Sequence, residues 1–162
     1  MLCMHWRRSG VVPVLKRYFN FTESIMKMSP YLAFPGNCEE AFRYYEKHLG
    51  GRIEVLMTIA GTPMAAATPP EWLPKIIHGR MVVGEAVLMG GDVPAPQYTA
   101  PSGFSLMINA ASAEEVERLW AALVENGTVK MPLSETFWAI RFGALVDQFG
   151  IPWMIGCDRP EQ

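Results

Sequence analysis

The chain is poor in the features that would assign it at once. It has three cysteines, Cys3, Cys38 and Cys157, an odd number with no CxxC spacing. That excludes a disulfide framework and a zinc ribbon and makes a reducing, cytoplasmic setting the default. It has no basic stripe, and with a net charge of -2 nothing calls for nucleic acid. It has no apolar run of membrane-spanning length, because Pro, Gly or charge breaks the longest candidates; a soluble protein with no membrane partner is expected. It lacks a Gly-rich strand-loop-helix of the kind that holds a nucleotide-like cofactor. What remains is an ordinary globular balance, 50% hydrophobic and 19% charged, over 162 residues. That length supports one domain, or two half-domains sharing a core.

Residues 1–27 read as an N-terminal extension, either disordered or the product of a mis-assigned start. The stretch is basic, with no acidic residue before Glu23, and its apolar piece Val11 to Leu15 is interrupted by Pro13. That is too short for a signal peptide. Met26 and Met28 stand just ahead of the first clear strand.

From there the chain says one thing twice. Glu39-Glu40-Ala41 followed by Tyr45 and Leu49 returns as Glu114-Glu115-Val116 followed by Trp120 and Val124. The run Val87 to Asp92 returns as Trp153 to Asp158. Tyr31 to Phe34 predicts a strand, stopped by Pro35-Gly36-Asn37, where Asn37 can cap a helix. Ala41, Phe42, Tyr45 and Leu49 at three- and four-residue steps predict that helix, and Gly50-Gly51 ends it. Ile53, Val55 and Met57 alternate as in a half-buried strand, and residues 61–74, with four prolines, form a long loop. Strands at 76–83 and 85–89 meet at Gly84. After a Pro-rich linker at 94–102 the order restarts: a strand at 104–109, a helix capped by Ser112 with Glu115 at capping-box spacing, then strands at 129–133, 138–146 and 151–157. Two copies of one unit must pack together, and the groove between them is where a ligand would sit.

The helix ending His48-Leu49-Gly50-Gly51, the segment His78-Gly79-Arg80, the strand Leu88 to Asp92 and the runs Met131 to Trp138 and Phe149 to Ile155 resemble the PhnB-like branch of the vicinal oxygen chelate superfamily, which includes glyoxalase I and bleomycin-resistance proteins. The resemblance covers roughly residues 28–158. It implies an α+β fold of two βαβββ modules, 28–93 and 103–158, curved into an incomplete β-barrel and usually completed in a homodimer. In metal-dependent members the ligands come from the first and last strand of each module. The residues nearest those places are Pro30 or Tyr31, Met89, Gly103 and Met154, which are poor ligands for a divalent metal. No cofactor is therefore expected, and metal-centred isomerisation or dioxygenation does not carry over. Some relatives bear the label demethylubiquinone methyltransferase, which the missing Gly-rich loop does not support.

Two residues are candidates for catalysis. His78 is either a general base or ligand-binding group, or a hydrogen-bonded strand residue. Glu135, beside Thr136, Phe137 and Trp138, is either a desolvated carboxylate in the barrel or a turn residue paired with Arg141. Arg141 could instead clamp an anionic group. Trp138, Phe142, Met89, Trp153 and Met154 would line an apolar cavity, or belong to the core. Asp92, Asp147 and Asp158 read as turn residues. Three functions stay open: a small-molecule binding protein for an apolar or aromatic ligand, without metal; a lyase, isomerase or dioxygenase using His78 and Glu135, directly or around one weakly held divalent metal; and an interaction or structural role as a dimer scaffold.

Overall fold

The computed structural model describes residues 26–160, so the expectations for residues 1–25 lie outside the described part. The first half forms β1 (Tyr31–Phe34), α1 (Cys38–Leu49), β2 (Arg52–Thr58), β3 (Ile76–Val83) and β4 (Ala86–Asp92). The second forms β5 (Leu106–Asn109), α2 (Ala113–Leu123), β6 (Thr128–Ser134), β7 (Ala139–Val146) and β8 (Pro152–Asp158). The sheets are ordered β1-β4-β3-β2 and β5-β8-β7-β6, with β1 parallel to β4 and β5 parallel to β8. This is the expected α+β pair of βαβββ modules, and neither sheet closes into a barrel. Among the described residues no helix is long and apolar enough to cross a membrane.

The start of α1 shows tertiary structure overriding a local signal. Asn37 occupies the cap position, but its side chain makes no capping bond. Asp92, at the far end of β4, instead accepts from Cys38 N at 2.8 Å with Oδ1 and from Ile76 N at 2.8 Å with Oδ2. A carboxylate at a helix N-terminus meets the positive end of the dipole. Gly50, at φ 70, closes the helix in the left-handed region. The second helix behaves locally: Ser112 Oγ accepts from Glu115 N at 3.2 Å. Glu115 reaches back to Ala111 N at 3.0 Å, one residue earlier than a capping box requires.

Each helix lies on one face of its sheet, and both modules feed one core. The tie between them is Asp147. Its Oδ2 accepts from Tyr45 Oη of α1 at 2.6 Å and from Trp153 Nε1 of β8 at 2.8 Å. Its Oδ1 accepts from the amides of Phe149 and Ile151, both at 2.9 Å. Asp147 is thus a turn residue, as read, and also the anchor of α1 on the second module. Tyr44 Oη donates to Ala122 O at 2.7 Å, joining α1 to the end of α2.

Two readings of pattern need correction. The alternation expected at Ile53, Val55 and Met57 is broken by a register shift between Ile53 and Val55; Ile53 and Leu56 pack on the core while Met57 is exposed. The repeat of Val87 to Asp92 in Trp153 to Asp158 is real as sequence but one residue out of phase as structure. Leu88 and Asp92 are buried, whereas their sequence counterparts Met154 and Asp158 are exposed and Trp153, Ile155 and Cys157 are buried instead. A slip of one residue exchanges the faces of a strand.

Candidate functional site: the uncovered sheet faces

Because directly paired residues point to the same side of a sheet, the register assigns the face that the helices leave open. In the first sheet Tyr31 pairs with Met89, Met89 with Arg80, and Met57 with His78. His78 and Arg80 are two residues apart, so all five share that face. In the second sheet Met107 pairs with Met154, Met154 with Ala144, and Ala144 with Met131, a row across all four strands. Phe142 lies two residues from Ala144 on the same side, and Trp138 meets it edge to face at 5.8 Å between centroids.

The aromatic arrangement on the first sheet depends on a glycine. Tyr31 crosses β4 to donate its hydroxyl to Ile77 O of β3 at 3.1 Å and stacks on His78 with ring centroids 5.9 Å apart. A Cβ on Gly91 would come within 2.9 Å of the Tyr31 oxygen and 2.8 Å of Ile77 O, so only glycine leaves the path free. Partial burial raises the Tyr31 pKa, which keeps the phenol protonated as a donor. Beyond His78, Arg80 forms an ion pair with Glu54, and Glu54 also binds Arg52 at 2.6 Å.

The sequence candidates thus divide. His78, Met89, Trp138, Phe142 and Met154 belong to the open faces. Glu135 follows β6 in the other module; it is exposed and pairs with Arg159, not with Arg141. No contact joins it to His78 among the described residues. Arg141 shares the face of Cys157, its partner in β8, and donates from Nε to Glu117 of α2 at 2.9 Å. Trp153 is core, edge to face with Tyr45 at 5.5 Å. It also walls a groove of ≈ 630 Å³ between the modules, with Leu49, Leu88, Leu106, Met107, Ile108 and Leu119. Tyr31, Met57, Arg80, Met107 and Met131 share these faces and are not among the site candidates read from the sequence. Each lies on a different strand from Met89 and Met154, so cross-strand register, not a local sequence signal, brings them to these faces.

A family model described as 3-demethylubiquinone-9 3-methyltransferase matches residues 26–156. The chain belongs to this family. Protein YjdN of Escherichia coli strain K12 is 34% identical over 138 residues, 80% of this chain and 94% of YjdN. The crystal structure of protein PA1353 from Pseudomonas aeruginosa has 43% identity and a TM-score of 0.74, covering 83% of this chain and 99% of that one. A PhnB protein from Bacillus cereus shares the fold at a TM-score of 0.69 and 22% identity, covering 82% and 99%. The same fold occurs in glyoxalase-related structures, at identities that speak for the fold alone.

Two groups that the family or its fold could imply do not fit the residues present. A nucleoside-type methyl donor would use free amides at a strand-to-helix turn; in the first module Asp92 already takes the amides of Cys38 and Ile76. A divalent metal at the ends of β1, β4 and β8 would meet a phenol and thioethers, which are poor donors for it. No group of three or more His, Cys, Asp or Glu side chains that could hold a metal comes together among the described residues.

Proposed function

We propose that this protein binds small apolar or aromatic molecules on the open faces of its sheets, without the four-ligand metal site of metal-dependent relatives, and that a second copy of the chain covers those faces in a homodimer. The observation that carries this is the Met107, Met154, Ala144, Met131 row with Phe142 and Trp138. Trp138 is 45% exposed, Met107 42%, Met154 38% and Met131 37%, on a face that no element among the described residues covers. A contiguous apolar patch of this kind marks an interaction site, and thioethers give it walls that adapt to more than one ligand shape. The free thiols of Cys38 and Cys157 accord with a reducing, cytoplasmic setting.

The enzyme reading that joins His78 to Glu135 gains nothing from the geometry, since His78 is in β3 of the first module while Glu135 follows β6 of the second and is engaged with Arg159. Methyl transfer, which the family description names, lacks a fitting donor site in the first strand-to-helix turn. A neutral fluorescent apolar probe, N-phenyl-1-naphthylamine, tests the binding reading. The probe brightens with the wild type, Met131→Asp and Met154→Asp lose the signal, and light scattering gives twice the chain mass. Leu106 faces the helix side next to Met107, so Leu106→Phe fills the inter-module groove and leaves binding intact. Loss with Leu106→Phe alone moves the site to that groove; no brightening at all sinks the reading.

A further inference from the structure

The two open faces differ in one respect that bears on what the ligand is. The second has an apolar row, Met107, Met154, Ala144 and Met131 with Phe142 beside it, bordered by the uncharged Asn109 and Ser134, which share its side through Gly156 and Phe142. The first offers the same kind of wall, Met57, Met89 and the Tyr31 ring, but sets polar groups into it. The His78 imidazole is half-buried and stacked on Tyr31, and neither ring nitrogen takes part in a hydrogen bond among the described residues. Arg80 stands two residues along on the same face, and Arg52 shares that face through its pairing with Val82. Two guanidiniums there share the single Glu54 carboxylate, which leaves one positive charge in surplus. Tyr31 is fixed in place by its bond to Ile77 O and by the space over Gly91.

We propose that the first sheet's open face binds a small aryl acid, its ring against Tyr31, Met57 and Met89 and its anionic oxygen accepting from His78 with Arg80 beside it. This rests on the reading that the open faces hold small molecules, and adds the ligand's chemical class and orientation. The unpaired imidazole supplies a donor, and the surplus guanidinium charge complements an anion where a neutral ligand would leave it unanswered. A hydrogen bond involving a charged group is strong enough to set a preference of about tenfold or more.

The test compares 2-naphthoate with its neutral isostere 2-naphthamide by calorimetric titration. The wild type binds the acid about tenfold more tightly. His78→Phe, which keeps a ring on Tyr31 but has no donor, and Arg80→Met each reduce the ratio towards one while keeping affinity for the amide, which shows that the apolar wall is still formed. Glu135→Gln, at the exposed pair with Arg159 outside both faces, leaves the ratio unchanged. Equal binding of the two ligands by the wild type, or an undiminished ratio in both His78→Phe and Arg80→Met, overturns the acid assignment and leaves the binding reading standing. Failure of the wild type to bind either ligand overturns both.

Discussion

The two faces of each sheet are made from the same strands and have opposite fates. On β8, Trp153, Ile155 and Cys157 turn to the helices and are buried, while Met154 between them is exposed. On β5, Leu106 packs on the core and Met107 does not. The helix-facing side is fixed by shape and by specific bonds: Gly90 admits Phe34 and Phe42, with an added Cβ meeting each ring at 3.1 Å, and Asp147 fastens Tyr45 and Trp153. The open side has thioethers, one aromatic pair on each sheet and few bonds. A face that must hold the fold is built from groups with one good arrangement; a face that receives something else can use groups with several.

This contrast is most exposed to failure at Asp147. Asp147→Ala leaves the Tyr45 hydroxyl, the Trp153 ring nitrogen and two amides without their acceptor, so urea unfolding should show a loss of about 3–5 kcal/mol. A loss below about 1 kcal/mol would show that the buried tie does not hold the modules together. Next comes a pair of neighbours on β8. Ile155→Ala should cost about 2–5 kcal/mol, whereas Met154→Ala should cost less than about 1 kcal/mol in the isolated chain while weakening probe binding. Equal costs would erase the distinction between the faces.

Gly91→Ala tests a place where the open face is tightly built. The new Cβ must displace Tyr31, with a stability loss of about 1–3 kcal/mol and loss of the acid preference. The smallest effect belongs to Glu135→Gln. Its exposed pair with Arg159 should contribute at most about 1 kcal/mol, and ligand affinity should not change; a large loss of binding would restore Glu135 to the site.

The buried side also predicts a response to alkali. Burial, followed by the charge of Asp147, raises the Tyr45 pKa well above its ordinary value, and burial raises that of the Cys38 thiol. Both groups keep their proton in the fold and lose it near their ordinary values when unfolded. The stability they contribute is full below about pH 9, the ordinary range of the thiol, and falls as pH rises through the thiol and phenol ranges towards the folded values. Tyr45→Phe should flatten the part of the fall that begins near pH 10, measured by denaturation at fixed pH steps.

Much of the fold was legible because its signals are local. The helical spacing of Ala41, Phe42 and Tyr45, the Ser112 cap and the strand runs depend on neighbours in sequence, and the second repeat supports the first. Legibility ended where partners are distant. Asn37 has the right residue type for a cap, yet Asp92, 54 residues from the amide it accepts from, takes the role. The side-chain phase of β8 relative to β4 could not be read from the matching Gly and Asp residues, because a match of letters does not fix which face a letter is on. Glu135 beside Trp138 suggested a desolvated carboxylate, but the chain places it at a strand end within reach of Arg159.

The sequence by itself determined the element order, the duplication and a family membership carried by contiguous runs, because periodicity, caps and turns act over a few residues. Only the tertiary structure decided which side of each strand is closed by a helix. It put Tyr31 with His78 and left Arg141 to Glu117, because sheet register joins residues far apart in the chain and reverses a strand's faces with each single-residue slip.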